Sequence, residues 1–416
     1  MTETHDADHG HAHDAGHGHG HGHDAHGAGH GQESGHDDHG PKRHGGTRHS
    51  SAHTAAHETP AAPYGGPTLG NLLRGTATVL VLALVLLPFF LVIYRLALFE
   101  TGPHEGYARF LLHLLGLPGG VVPGAPYGYR GLSVLAAVPF FFALPPALLA
   151  HAPTDLPPEL VRATASLVVL SHLSLAGTLY GTYRLARDRA GQDAATGLMA
   201  AALMFVLFWY TDYFALDPLA IMLITLGLYV LPSRQGFTVL LLATPVINEQ
   251  IAVVFALWLS FRCLTAQADR EALGLQWATS IVALLIYAAL IVVVQLPGGG
   301  HQFDPATYLE TLRTTLAAQA TPGALLVALP PVVLLLAVGL LGHFGWPRRD
   351  APRPTWEARF RRVDLLVIPA LAGVALAQMF EAGRLVMLAA PLFVVPAAAV
   401  LLHRLAGKPA GEAHPQ

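Results

Sequence analysis

The feature that most constrains the fold is a series of apolar runs, each near twenty residues long, between residues 76 and 405. A helix of about twenty residues spans the hydrocarbon core of a bilayer. Charged residues make up 12% of the chain, well below the roughly 25% that is usual for soluble domains. Because apolar and polar residues do not alternate within the runs, strands of a membrane barrel are excluded. We therefore predict an all-α polytopic membrane protein with apolar runs at about 76–98, 131–150, 161–183, 194–211, 214–232, 236–262, 277–296, 322–342, 363–380 and 385–404.

The remaining composition narrows the class of protein. A net charge of −3 gives no indication of a nucleic-acid partner. The single cysteine, Cys263, excludes an intrachain disulfide and a cysteine-rich zinc site. The polar start predicts no cleavable signal peptide, so internal helices would direct insertion into the inner (plasma) membrane. Abundant alanine, glycine and proline are typical of a GC-rich bacterial genome.

The N-terminal tail is rich in histidine. Residues 1–60 hold 16 of the 24 histidines and almost no aliphatic side chain, which predicts a disordered segment. Residues 61–75 are rich in proline and glycine and predict a linker, and residues 406–416 form a short C-terminal tail. Two interpretations stay open for the tail: buffering of zinc, nickel or copper, or low-complexity sequence that binds metal incidentally. The candidate metal ligands alternate with glycine and are His17, His19, His21 and His23.

A metal transporter is the first alternative to test against the apolar region. His172 is the one histidine clearly inside an apolar run, and no acidic residue lies three to five positions from it. A lone histidine in this setting is more often a packed, hydrogen-bonded core residue than a metal ligand. The metal-handling alternative therefore depends on the tail alone.

The distribution of basic residues predicts a topology. The positive-inside rule places the cluster at 348–362 in the cytoplasm, together with residues 183–189 and the N-terminal tail. An even number of crossings must then separate the basic segments. This requirement places the proline-rich run 131–150 at the outer surface, where it does not span. It also splits the run 236–262 into two halves that meet at Pro245, Asn248 and Glu249.

The resulting topology has about ten crossings and gathers polar residues on the outer face, where they would line a chamber. They are Glu100, His104, Glu105, Arg109, Tyr127, Arg130, Asp212, Asp217, Asn248, Glu249, His301, Asp304, Glu381 and Arg384.

Two of these groups have two possible interpretations, and a third has one. Glu105 beside His104 is either a general base or an acidic residue in the first turn of a loop helix. Asp212 and Asp217 lie at a short turn between spans, where they would cap a hairpin, with Pro218 opening the next helix. Arg384 either binds a phosphate oxygen or forms a local ion pair with Glu381, which lies one helical turn away.

These segments resemble, in order, the GT-C superfamily of membrane glycosyltransferases that use polyprenyl-phosphate sugars. The resemblance extends over residues 75–405 and rests on GPHEGYARF at 102–110, YGYRGLSVLAAVPF at 127–140, TDYFALDPLAIMLITLGLYVLPSRQ at 211–235, LLLATPVINEQIAVVFALWL at 240–259 and EAGRLVMLAAPLFVVPAAAVL at 381–401.

The resemblance implies transfer of a sugar from a polyprenyl-phosphate donor to an acceptor on the outer face, with membrane lipid around the spans. It implies that Glu105 is the catalytic base and that Asp212 or Asp217 positions the acceptor or a divalent ion such as magnesium or manganese. The substrate-binding residues that it implies are His104, Arg109, Tyr127, Arg130, Asn248, Glu249, Glu381 and Arg384.

Two positions depart from the family pattern. His104 precedes Glu105 where an acidic pair is common, and Asn248 replaces a basic residue before Glu249. A non-catalytic membrane scaffold that keeps the fold therefore remains a third alternative.

Overall fold

The part of the chain that the computed structural model describes is mainly helical and contains no strand. The structure describes residues 69–99, 103–121, 130–145, 156–211, 216–295, 320–345, 360–377 and 382–405, with a few more residues between 309 and 318. Each predicted apolar run contains at least one helix. The helices are α1 Leu69–Val85, α2 Leu87–Phe99, α3 Pro103–Leu114, α4 Gly131–Leu135, α5 Val138–Ala143, α6 Pro158–Arg184, α7 Ala194–Leu207, α8 Asp217–Val230, α9 Arg234–Ile247, α10 Glu249–Thr265, α11 Gln267–Gln295, α12 Pro322–Phe344, α13 Val367–Ala377, α14 Ala382–Met387 and α15 Val394–Leu405.

Many of these helices are short or bent. Among the described residues, two helical stretches, Pro158–Arg189 and Gln267–Leu290, are long and apolar enough to cross a membrane. Two further helix pairs are bent, and each pair would form one span if it is counted as a single broken helix. The described residues then contain up to four membrane spans. The first of these pairs is α1 and α2, which bend by 61° where Pro88 follows Leu87. Apolar helices that could cross a membrane are therefore present, and the count of about ten crossings stays a prediction.

Helix α6 is the central helix of the bundle. It begins at Pro158, where the missing proline N–H costs no helical hydrogen bond, and it packs against α1, α2, α3, α5, α7 and α8. Two of its buried hydroxyls bond to the helix backbone: the Ser174 hydroxyl donates to the Leu170 carbonyl at 2.8 Å, and the Thr178 hydroxyl donates to the Ser174 carbonyl at 2.9 Å. A long helix can therefore be buried almost all round without orphaned hydroxyls at these positions.

His172 belongs to this packed interior. The imidazole is buried against the ring of Phe90, with 4.9 Å between the ring centroids, and its Nε2 lies 2.9 Å from the Ala83 carbonyl oxygen. The prediction of a hydrogen-bonded core histidine is confirmed.

The run 236–262 is divided as predicted. Helix α9 ends at Ile247 and α10 begins at Glu249, with Asn248 in an extended conformation between them. The Asn248 side-chain oxygen accepts a hydrogen bond from the Gln250 N–H at 3.1 Å, which caps α10. Pro245 has no N–H to continue the α9 hydrogen-bond ladder, so the chain breaks one turn after it.

The described part of the run 131–150, residues 131–145, forms no long helix. The short helices α4 and α5 together cover residues 131–143, which is too short to span a bilayer. Its place at the outer membrane surface stays a prediction.

Helices α8, α9 and α10 run between two opposite ends of the bundle. The carboxylate end contains Asp217, Ile247 and Glu249, and the arginine end contains Val230, Arg234 and Arg262. Other basic segments join the arginine end, because Arg189 Nε donates to the Tyr229 carbonyl at 2.8 Å and Arg361 pairs with Asp269 at 2.9 Å. The described basic residues that were predicted to share one side of the membrane thus lie at one end of the bundle.

Close packing of α8 on α10 depends on Gly227. A Cβ atom at this position would lie 2.8 Å from Cε2 of Phe255, a buried ring that itself packs edge-to-face against Phe237.

We expect Gly227→Ala to lower the free energy of unfolding by about 1–3 kcal/mol, because neither the Phe255 ring nor the Phe237 ring can move freely. SDS-induced unfolding in detergent micelles measures this free energy. The matched control is Gly274→Ala in α11, where a Cβ meets nothing within 4 Å; this change should be neutral or stabilise by up to about 1 kcal/mol. Equal effects of both substitutions would contradict the packing described.

Candidate charged site at the carboxylate end

The first element of the site is a buried ion pair between Arg130 and Glu249. Arg130 Nη2 lies 2.6 Å from Glu249 Oε1, and Nε lies 3.1 Å from Oε2, so the two groups meet in a bidentate arrangement. Their side chains are only 2% and 3% exposed. Burial lowers the pKa of Arg130, but Glu249, Tyr107 and Asp217 together raise it by more, and the net pKa is above the ordinary value. The guanidinium is therefore charged at any pH at which the protein is folded.

Tyr107 joins this pair. Arg130 Nη1 donates a hydrogen bond of 2.6 Å to the Tyr107 hydroxyl oxygen. Burial raises the pKa of Tyr107 to about 12, in opposition to the nearby Arg130 and Arg384 guanidiniums, which lower it. Tyr107 is thus a neutral phenol that fixes the position of Arg130.

The second element is an ion pair between Arg384 and Asp217. Arg384 Nε and Nη2 lie 2.6 Å and 2.9 Å from the two carboxylate oxygens of Asp217. Asp217 is fully buried, whereas the Arg384 side chain is 15% exposed. The charges of Arg384 and Asp217 both contribute to the pKa of Tyr107. The second ion pair therefore lies close to the first, which Tyr107 contacts directly. We call Tyr107, Arg130, Asp217, Glu249 and Arg384 the charged cluster.

The local backbone explains why two carboxylates can be buried here. Asp217 is the first residue of α8 and Glu249 is the first residue of α10, so each lies at the positive end of a helix dipole. Leu216, directly before Asp217, has a φ of 63°, and it is the only residue other than glycine with a positive φ in the described part of the chain. A leucine in this left-handed region is strained, and such strain persists where surrounding structure fixes a functional side chain.

A further contact holds α4 against the break between α9 and α10. The Ser133 hydroxyl donates a hydrogen bond to the carbonyl oxygen of Ile247. Because Arg130 immediately precedes α4, this contact helps to orient Arg130 toward Glu249.

Glu105 and Arg109 lie on α3 but outside the cluster. Arg109 Nε and Nη2 both donate to Glu105 Oε1, at 2.8 Å and 2.7 Å, and the side chains are 40% and 33% exposed for Arg109 and Glu105, respectively. Glu105 is in the first turn of α3, as the structural interpretation predicted. Residues two apart on a helix point in different directions. While Tyr107 faces the cluster, Glu105 therefore faces the more exposed side of α3.

The structure brings some of the sequence-predicted residues together and leaves others undescribed. Arg130, Asp217, Glu249 and Arg384 meet in the cluster. Asn248 lies beside it, with its Nδ2 atom buried and without a hydrogen-bond partner among the described residues. His104 lies in α3, but its side chain is outside the described part of the structure. The other predicted positions that lie outside the described residues are His17, His19, His21, His23, Glu100, Tyr127, Asp212, His301, Asp304 and Glu381.

Arg384 has a distant partner that the sequence did not suggest, while Glu381, the local partner it did suggest, lies outside the described residues. Arg384 binds Asp217, 167 residues earlier in the chain. Sequence reasoning also assigned no role to Tyr107 or Ser133. The signal for Tyr107 was weak: a tyrosine on the apolar face of a helix that otherwise carries Phe110 and Leu111.

A further ion pair, also buried, lies at the arginine end. Arg262 Nε and Nη2 donate to the two oxygens of Asp364 at 2.8 Å and 2.9 Å, and Trp258 Nε1 donates to Asp364 Oδ1 at 2.8 Å. The Arg361 backbone N–H also donates to Asp364, at 2.7 Å. This network ties α10 to the turn before α13. Within the described residues, no group of three or more His, Cys, Asp or Glu side chains is arranged to hold a metal ion.

Comparison of this chain with protein-family profiles, with curated proteins and with solved structures gives no match.

Proposed function

We propose that this protein is an integral membrane glycosyltransferase of the GT-C-like type, which transfers a sugar from a polyprenyl-phosphate donor to an acceptor at the outer face of the membrane. The observation that carries the proposal is the charged cluster, in which four charged side chains and Tyr107, from α3, α8, α10, α14 and the residue before α4, meet at one end of an apolar helical bundle. Charges inside an apolar bundle are costly and are usually retained for function.

Arg384 is the member of the cluster that takes the donor phosphate. It is more exposed than Arg130, Asp217 or Glu249, so a ligand can approach it. Its planar guanidinium suits a phosphate oxygen as well as a carboxylate. In the resting protein, Asp217 holds the guanidinium in place, and the lipid phosphate that forms during transfer is stabilised by the same group.

Glu105 takes the proton in the proposed reaction. The acceptor hydroxyl oxygen forms a bond to the anomeric carbon of the sugar, while the bond from that carbon to the phosphate oxygen breaks. The electron pair of the broken bond leaves with the lipid phosphate, and the hydroxyl proton passes to the Glu105 carboxylate. The exposed position of Glu105 on α3 suits approach of an acceptor from water.

The proposed topology has about ten crossings of the bacterial plasma membrane, a cytoplasmic tail and the carboxylate end outside. This orientation is supported by the basic residues of the described segments, which lie at the arginine end of the bundle.

The proposal predicts a large effect of Glu105→Gln on transfer. We expect the rate of transfer of a radiolabelled hexose from a polyprenyl-phosphate hexose, catalysed by the full-length protein in lipid vesicles, to fall about 100-fold or more. The matched control is Glu159→Gln, which alters an exposed acidic residue in the first turn of α6; its rate should stay within about twofold. Undiminished transfer by a folded Glu105→Gln protein would contradict the role of Glu105.

The metal-transport alternative gains no support from His172, which is packed against α1 and α2. The same assay distinguishes a transferase from a non-catalytic scaffold, because a scaffold would transfer no sugar, whether wild-type or variant.

A further inference from the structure

A cavity lies at the arginine end, away from the charged cluster. It has a volume of about 400 Å³ and is bordered by the end of α8, the start of α9, the end of α10 and the start of α11. Pockets of roughly 300–1,000 Å³ commonly hold small organic ligands. The proposed transfer reaction makes no use of this cavity.

Two residues that line the cavity each have a buried oxygen atom that accepts no hydrogen bond from any described residue. The two atoms are Oδ2 of Asp269 and Oε1 of Gln276. The Asp269 side chain is 9% exposed, and its other oxygen is bound by Arg361 Nη2 at 2.9 Å. Gln276 is 3% exposed, and its Nε2 donates to the Leu231 carbonyl at 3.2 Å. Because that carbonyl can only accept, the amide orientation is fixed and Oε1 remains an acceptor. A ligand that donates N–H or O–H groups would satisfy both atoms.

The cavity also offers positive charge. Arg234 lines it from the first turn of α9 and has an exposed side chain. Arg262 lines it as well, but its guanidinium is already bound to both oxygens of Asp364. Arg234 is thus the guanidinium suited to a ligand anion, while Asp269 and Gln276 suit a donor group. This combination matches a zwitterion with a phosphate and an ammonium group.

The surroundings favour a ligand with an apolar part. Helix α11, which carries Asp269 and Gln276, is one of the helices apolar enough to cross a membrane, and only 22% of its most apolar window is buried. Leu275, Leu285 and Ile286 are exposed along it. An acyl chain that leaves the cavity would therefore find an uncovered apolar helix beside it.

We propose that this cavity binds the phosphoethanolamine headgroup of a membrane phospholipid. The ammonium N–H groups bind Asp269 Oδ2 and Gln276 Oε1, the phosphate binds Arg234, and the acyl chains lie along α11. The site is separate from the charged cluster and does not depend on the transferase proposal.

Competition between two lipids tests the site in the full-length protein. Native mass spectrometry is recorded after incubation with equimolar phosphatidylethanolamine and phosphatidylcholine, which carry the same charges but differ in N–H donors. We expect the wild-type protein to retain phosphatidylethanolamine in about tenfold preference, because hydrogen bonds to a charged group are strong. Asp269→Asn should bring the ratio close to one. The control Glu271→Gln, which removes an exposed acidic residue two positions along α11, should leave the ratio unchanged.

The ratio is measured within each folded sample, so a low yield of a variant does not affect it. Should Asp269→Asn fail to fold, Gln276→Met replaces it, with an expected loss of preference of about threefold, as for a neutral hydrogen bond. Equal binding of the two lipids by the wild-type protein, or an unchanged preference in the folded variant, would overturn the proposal. Displacement of the lipid by free phosphoethanolamine at equal concentration would show a soluble ligand and would equally overturn it. Arg384→Ala should keep the lipid preference even if it abolishes transfer, which separates this site from the proposed function.

Discussion

Replacing Glu249 by leucine should destabilise the protein by about 3–5 kcal/mol, because it leaves the Arg130 guanidinium buried without its counter-charge. Arg130 is 1% exposed, so water cannot take over the role of the carboxylate. Arg130→Met should have a similar effect, since Glu249 would then be the isolated charge. SDS-induced unfolding of the purified proteins, followed by tryptophan fluorescence, gives the free energies.

The double variant Arg130→Met/Glu249→Leu distinguishes charge burial from lost packing. A buried ion pair that is replaced by apolar side chains of similar size often costs little stability. The double variant should therefore recover most of the loss seen in each single variant. As a control, Arg184→Met breaks the partly exposed pair with Asp188, whose side chains are 40% and 33% exposed; it should cost about 1 kcal/mol or less. Additive losses in the double variant would show that the pair is not coupled as described.

Arg384→Lys should lower the rate of sugar transfer about 100-fold or more. A lysine keeps the positive charge but cannot bind Asp217 with two parallel N–H groups. The cation would therefore no longer be fixed at the more exposed side of the charged cluster. Loss of one fixed donor at a site of developing negative charge typically costs about 100-fold to 1,000-fold in rate. The assay is transfer from a polyprenyl-phosphate hexose by the full-length protein in vesicles.

Arg187→Lys is the matched control for this substitution. Arg187 is an exposed arginine at the opposite end of the bundle, and its replacement should leave the rate within about twofold. Retention of full transfer activity by a folded Arg384→Lys protein would mean that a point charge suffices there, or that the phosphate binds elsewhere.

The helical part of the fold was predictable because apolar runs are a local signal. The break at Asn248 was also predictable, since Pro245 removes a hydrogen-bond donor and polar residues follow it. The number of membrane crossings was harder to predict. Bends such as the one between α1 and α2, and the short helices α4 and α5, depend on contacts with distant segments that a hydropathy count does not contain.

The candidate site was predictable by residue type but not by pairing. Arg130, Asp217, Glu249 and Arg384 stand out in the sequence as charges beside apolar runs. Their partners lie 119 and 167 residues away, and only the packing of the helices determines which charge meets which. Tyr107 and Asp364 escaped prediction for the same reason, since neither is unusual until its hydrogen-bond partners are known.

The central claim is that the carboxylate end binds a lipid-linked phosphate through Arg384. Native mass spectrometry of the full-length protein, released gently from detergent, tests it most directly. The claim predicts a co-purified polyprenyl phosphate, or its glycosylated form, on the wild-type protein and its loss from folded Arg384→Ala. A wild-type protein without such a lipid, or equal retention by the Arg384→Ala variant, would contradict it.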